Sequence, residues 1–204
     1  IASLEIQANY YFGVPLEKSK INYTFSSQDY YFDKFPVSGE YFRVGPERDY
    51  WLPYSYNDRF LFRGETELEQ GRAKISSLLD MAKLLRSDEK PQSKIIVVDA
   101  TLTNPQGQSV SVQKSFILHA GQFYLGISSD KYFLGKNEEA KIKIKAADIQ
   151  GAPKRVGNIN LNVYKIDWIY SKRQEATGGY GYKWEKRKEL AKQYNFNTDG
   201  NGEY

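Results

Sequence analysis

The 204-residue sequence has no cysteine, a single histidine (His119) and a single methionine. Without Cys there can be no disulfide framework, no thiolate metal site and no Cys nucleophile. With one His there can be no His cluster for a metal, and a Ser-His-Asp arrangement would rest wholly on His119, with no Gly-x-Ser-x-Gly elbow to serve it. No apolar run approaches the roughly 18 residues of a membrane-spanning helix. The opening IASLEIQANY lacks the basic-then-apolar pattern of an export signal. An excess of one charge is also missing: 29 Lys and Arg stand against 25 Asp and Glu, for a net charge of +4, and the two signs are interleaved. That mixture reads as a solvated surface rather than a nucleic-acid stripe, so no nucleic-acid partner is expected. The carboxylates fall on strand surfaces and turns with no spacing that singles out a catalytic pair. GGYGY (Gly178 to Tyr182) lacks the spacing of a phosphate loop. No catalytic, cofactor-binding or metal-binding residue is therefore assigned, and no cofactor is expected.

What is plentiful is aromatic side chain, 15% of residues with 17 Tyr and 11 Phe, which tilts the chain toward β structure. Leu4, Ile6, Ala8 and Tyr10 alternate with polar residues, as do Ile21, Tyr23 and Phe25. Gly13-Val14-Pro15 between them supplies a sharp turn, giving a hairpin-like unit. TELEQGRAKISS reads as strand, Gln-Gly turn, strand. LLDMAKLLRS places Leu78, Met81, Ala82 and Leu85 on one helical face and predicts a short helix. KIIVVDATLT, the turn NPQG and QSVSVQKSFILH form the clearest hairpin. After His119 the pattern restarts with QFYLGIS, KYFLG, EEAKIKIKAADIQG and NINLNVYKIDWIYSKR, in which Ile142 and Ile144 alternate with lysines and Ile159, Leu161, Val163 and Ile166 face inward.

Short strands at about ten-residue spacing with turns between them predict β-sandwiches. The fold class is all-β: two tandem antiparallel sandwich domains, immunoglobulin- or fibronectin-III-like, over residues 1–119 and 122–204. Residues 28–62, about one-third aromatic, form an insertion in the first, read as a cluster over a sheet edge. The second domain ends in FNTDGNGEY, a turn and the start of a strand, and is expected to be truncated, the chain being a cut from something longer. In that turn Asn195, Asn197, Asp199, Gly200 and Asn201 echo the opening of a calcium loop. Without a preceding helix pattern or a twelfth ligand, it reads as a tight turn. SKRQEATGGYGYKWEKRKELAK reads as two long strands around a flexible tip.

ANYYFGVPLEKSKINYTF resembles the opening of a macroglobulin-like domain in bacterial alpha-2-macroglobulins: an aromatic pair, Phe-Gly, a small residue and Pro before an alternating strand. VVDATLTNPQGQSVSVQKSFILHAGQFYLGISSDKYFLGKNEEAKIKIKAADIQGAPKRVGNINLNVYKIDW resembles the end of that domain and the start of the next, the bait-region domain. The resemblance covers most of the chain and is weakest over residues 28–62. It implies macroglobulin-like domains from a bacterial broad-spectrum protease inhibitor, non-enzymatic and periplasmic or extracellular. Proteases would be its partners through the full-length parent, beside neighbouring domains of the same chain. Membrane contact would come only through an anchor outside these residues. A Cys-Gln thioester, which many members carry, cannot lie within this Cys-free segment, and the bait is not assigned to Ser171–Lys192, which strands explain better. The rival reading is an adhesin or carbohydrate-binding module using rings at Tyr50, Trp51, Tyr54 and Tyr56, for which a flat row of exposed rings would count.

Overall fold

A computed structural model describes residues 2–16, 18–35, 40–45, 59–80, 84, 92–174 and 180–204. Among them are eleven strands: β1 (Ala2–Gln7), β2 (Ser19–Asp29), β3 (Arg43–Val44), β4 (Arg59–Leu68), β5 (Arg72–Ser77), β6 (Lys94–Thr103), β7 (Ser109–Leu118), β8 (Phe123–Ser129), β9 (Ile142–Asp148), β10 (Ile159–Gln174) and β11 (Tyr180–Phe196). The protein is all-β and antiparallel wherever pairing is traced. The chain divides into two units, Ile1–Phe35 with Arg43–Tyr124, and Pro36–Phe42 with Leu125–Tyr204.

In the first unit a four-stranded sheet of order β4-β2-β6-β7 faces the two-stranded sheet β1-β5. Period-two alternation sends Ile21 and Phe25 of β2 and Ile96, Val98 and Ala100 of β6 inward, against Ala73 and Ile75 of β5 and Ile6 of β1. Ile21, Phe25 and Ile96 are fully buried, and each such side chain contributes about 1.5–3 kcal/mol. β6 and β7 form the expected hairpin, with Lys94 opposite Leu118 and Thr103 opposite Ser109. Asn104 closes its turn, its Oδ1 accepting from the amides of Gln106 at 3.1 Å and Gln108 at 2.8 Å.

The opening stretch departs from the hairpin reading. β1 pairs with β5, and β2 with β4 and β6, so Tyr10 to Leu16 carries the chain from one sheet to the other. The turn itself is tight: Gly13 has φ 89° and donates to Tyr10 O at 2.9 Å, and Tyr10 donates to Val14 O at 2.8 Å. A second turn, Gln70 (φ 49°) and Gly71 (φ 75°), locks onto it. Ala8 N donates to Gly71 O at 2.9 Å, and Gly71 N to Leu16 O at 2.8 Å. A Cβ on Gly71 would lie 2.8 Å from Pro15 Cβ. The helix predicted over residues 78–87 falls mostly outside the described residues. Leu78, placed on its buried face, is 73% exposed, whereas Leu84 is buried.

In the second unit β8 and β9 are neighbours in one sheet, and β10 and β11 form a long two-stranded ribbon. The core joins Ile144 of β9 to Ile159 and Phe196, backed by Val156 and Leu161. KYFLG forms no strand, and Tyr132 and Phe133 are exposed. Ile142, at the start of β9, is 41% exposed. Ile166 does not face inward either: it lies on the opposite side of β10 from Ile159, Leu161 and Val163, and is exposed. Its even position in a strand whose core residues are odd is the reason.

Candidate functional site

Four places could in principle carry function. The first is His119. Its Nδ1 lies 2.7 Å from Tyr124 Oη, which lies 2.7 Å from Ser93 Oγ, and Ser93 Oγ accepts from the Ala120 amide at 3.0 Å. One proton per hydroxyl makes a consistent relay: Ser93 donates to Tyr124, and Tyr124 donates to a neutral imidazole. Burial, and behind it the charge of Lys34, holds the His119 imidazole below its ordinary value, which agrees with that neutral form. Burial likewise raises the Tyr124 phenol, against the hydrogen bond from Ser93. Phe32 stacks on Tyr124 with centroids 4.0 Å apart, and Tyr30 meets both His119 and Tyr124 edge to face. Ser93 is buried at 4% exposure and its oxygen is engaged twice, so it is not presented to a substrate. The relay ties the start of β6 to the segment after β7.

Because the folded imidazole titrates below its unfolded value of about 6.5, its contribution to stability is complete above that pH. It is lost as pH falls through the lower folded value. Thermal midpoints should therefore drop on acidification from pH 7.5 toward 5, with a shallower slope in His119→Gln. Identical slopes in the two proteins would contradict the relay.

The second place is a cleft of about 470 Å³ in the first unit. It exists because two strands cannot cover four: β1 and β5 lie over β2 and β6, leaving Val110 and Val112 on the same face of β7 at 69% and 58% exposure. Ile6, Ala8, Tyr10, Leu102 and these valines line it, with no carboxylate, His, Lys or Arg. A cleft so lined brings no carboxylate, imidazole, amine or guanidinium to a bound molecule.

The third is the loop from Asn195 to Glu203. Asp199 Oδ1 accepts from the amides of Asn201 at 2.9 Å and Glu203 at 2.8 Å, so this oxygen closes the turn. Thr198, 2% exposed, accepts from Val156 N at 2.8 Å. Among the described residues no three His, Cys, Asp or Glu gather to hold a metal.

The fourth was not anticipated. Of the stretch Ser171–Lys192, the described residues 171–174 and 180–192 belong to the ribbon, with Ser171 opposite Lys183 and Gln174 opposite Tyr180. One face of this ribbon exposes Tyr164, Ile166, Trp168, Tyr170, Tyr182 and Trp184. The signal was a change of parity: after Ile159, Leu161 and Val163, large residues continue at 164, 166, 168 and 170. Of the aromatic segment 28–62, Phe32 and Phe35 are buried, Phe62 stacks on Phe25, and Tyr31, Tyr41 and Phe60 are exposed. Tyr50, Trp51, Tyr54 and Tyr56 lie outside the described residues. No helix among the described residues is long and apolar enough to cross a membrane.

The architecture is that of macroglobulin-like β-sandwich domains. No protein-family model and no curated protein sequence matches the chain. Solved structures do. Over 99% of its length the chain superposes on native Escherichia coli alpha-2-macroglobulin with a TM-score of 0.61 and 13% identity, covering 13% of that chain. Salmonella alpha-2-macroglobulin reacted with methylamine matches 99% of the chain with a TM-score of 0.58 and 15% identity, over 14% of its own length. E. coli alpha-2-macroglobulin activated by porcine elastase matches all of it with a TM-score of 0.58 and 15% identity, over 18%. The fold is thus that of a segment of bacterial alpha-2-macroglobulins, and the chain spans a small part of the proteins it resembles.

Proposed function

We infer that the chain is a structural part of an alpha-2-macroglobulin-like broad-spectrum protease inhibitor, exported to the periplasm or the cell exterior. The observation that carries this reading is the superposition of essentially the whole chain on each of three such structures. Two tandem domains, 1–119 and 122–204, would act as rigid spacers that set the geometry of a protease trap, doing no chemistry themselves. The apolar lining of the cleft, the engaged oxygen of Ser93 and the turn-closing Oδ1 of Asp199 fit such a role.

Limited proteolysis of the full-length parent with several proteases tests it. First cuts confined to one segment outside Ser171–Lys192, with the protease retained by the cleaved protein, are expected. Scattered cuts with no retention would count decisively against an inhibitor.

A further inference from the structure

We propose that the exposed face of the β10–β11 ribbon is a docking surface for an anionic phospholipid bilayer, seated in the headgroup layer. This departs from the expectation of membrane contact only through an outside anchor, and it stands independently of the inhibitor reading.

The face is built by one irregularity. Val163 pairs with Lys192 but Tyr164 pairs with Leu190, so Ala191 is an extra residue in β11. A bulge of one residue changes which side the following residues occupy. Without it, Trp184 and Tyr182 would share a face with Phe196 and the core. With it they join Trp168 and Tyr170, as the pairs Tyr170–Trp184 and Lys172–Tyr182 record. The other face of the same stretch mixes signs: Lys165 opposes Glu189, Asp167 opposes Arg187, and Ile169 opposes Glu185. The aromatic face carries Lys172, Lys186 and Lys188 and no carboxylate.

The rings discriminate among ligands. Tyr170 lies 5.0 Å from Tyr182 at 3° and 4.8 Å from Trp184, while Lys186 sits over Trp168 at 5.6 Å and Lys188 over Tyr164 at 3.8 Å. Ring faces covered by one another and by ammonium groups leave less open face for a nucleobase to stack on. A second copy of the same surface would set lysine against lysine. A protein partner is disfavoured by the choice of cation, since interfaces favour Arg and deplete Lys. Trp and Tyr with hydrated lysines are the residues of a membrane-water interface, and the lysines complement anionic headgroups. The depth is limited as well. Among the described residues the ribbon has two strands, so its outer edges keep backbone groups that need water.

The test uses the 204-residue chain carrying Trp51→Phe, so that emission comes from Trp168 and Trp184. It is mixed with vesicles of phosphatidylcholine alone or with about 30% phosphatidylglycerol. Flotation with the anionic vesicles only, a blue shift of emission and release by high salt are expected. Lys186→Gln with Lys188→Gln should weaken binding about 25-fold, at roughly fivefold per lysine, without changing the melting temperature. Lys20→Gln with Lys114→Gln, an equal charge change on the first unit, should leave binding within about twofold. Equal binding to neutral vesicles, no binding, equal losses in both double variants, or binding only to an acidic protein or single-stranded nucleic acid would each overturn the proposal.

Discussion

Phe25→Ala is expected to cost the first unit about 3–5 kcal/mol, against a total of about 5–15 kcal/mol for a typical domain. Phe25 is fully buried, in one core with Ile75, Leu84, Ile96 and Val98, and stacks on Phe62 with centroids 4.5 Å apart. Both sheets contribute to that group, so neither can close over the space alone, and a residual cavity adds to the lost transfer energy. Denaturant unfolding of the variant beside Leu78→Ala measures it. Leu78, 73% exposed, should cost no more than about 0.5 kcal/mol. A loss below about 1 kcal/mol at Phe25 would mean that the two sheets do not meet there.

Gly202→Ala is expected to destabilise the second unit by about 2–4 kcal/mol, from left-handed strain and overpacking together. Gly202 has φ 72°, and a Cβ on it would lie 2.2 Å from Ala146 O and 3.1 Å from Lys154 N. Neither can retreat, because Ala146 N donates to Gly202 O at 2.7 Å and Lys154 N donates to Ala146 O at 3.1 Å. Gly107→Ala separates the two causes: its φ is 83° with nothing within 4 Å, so only the strain, about 1–2 kcal/mol, remains. Equal losses at the two glycines in equilibrium unfolding would show that Gly202 is not crowded.

Strand positions were legible where period two ran cleanly, as at Ile21-Tyr23-Phe25 and along β6. Strand partners were less so. NYYFGVPLEKSKINYTF carries every local mark of a hairpin, because a turn followed by an alternating strand looks the same whether the strands pair with each other or cross between sheets. What separates β1 from β2 is the edge that β5 offers, and β5 lies far along the chain. The aromatic face of the ribbon was half legible. The parity change in β10 is written at positions 163 and 164, but only the pairing identifies Ala191 as the extra residue in β11. His119 could be named from the sequence as the sole imidazole, yet its partners Tyr124 and Ser93 are chosen by packing and carry no motif.

The locked turns at Gly13 and Gly71 bear on how the first unit is made. β1 leaves synthesis before β5 and finds its ladder only after β5 and the second turn have appeared. Closing so long a loop is entropically slow, whereas the β6–β7 hairpin closes through its own short turn. The order of emergence and the order of assembly therefore differ. Refolding kinetics should be limited by these long-range pairings, β1 with β5 and β2 with β6, leaving β1 and β2 open to aggregation for longest.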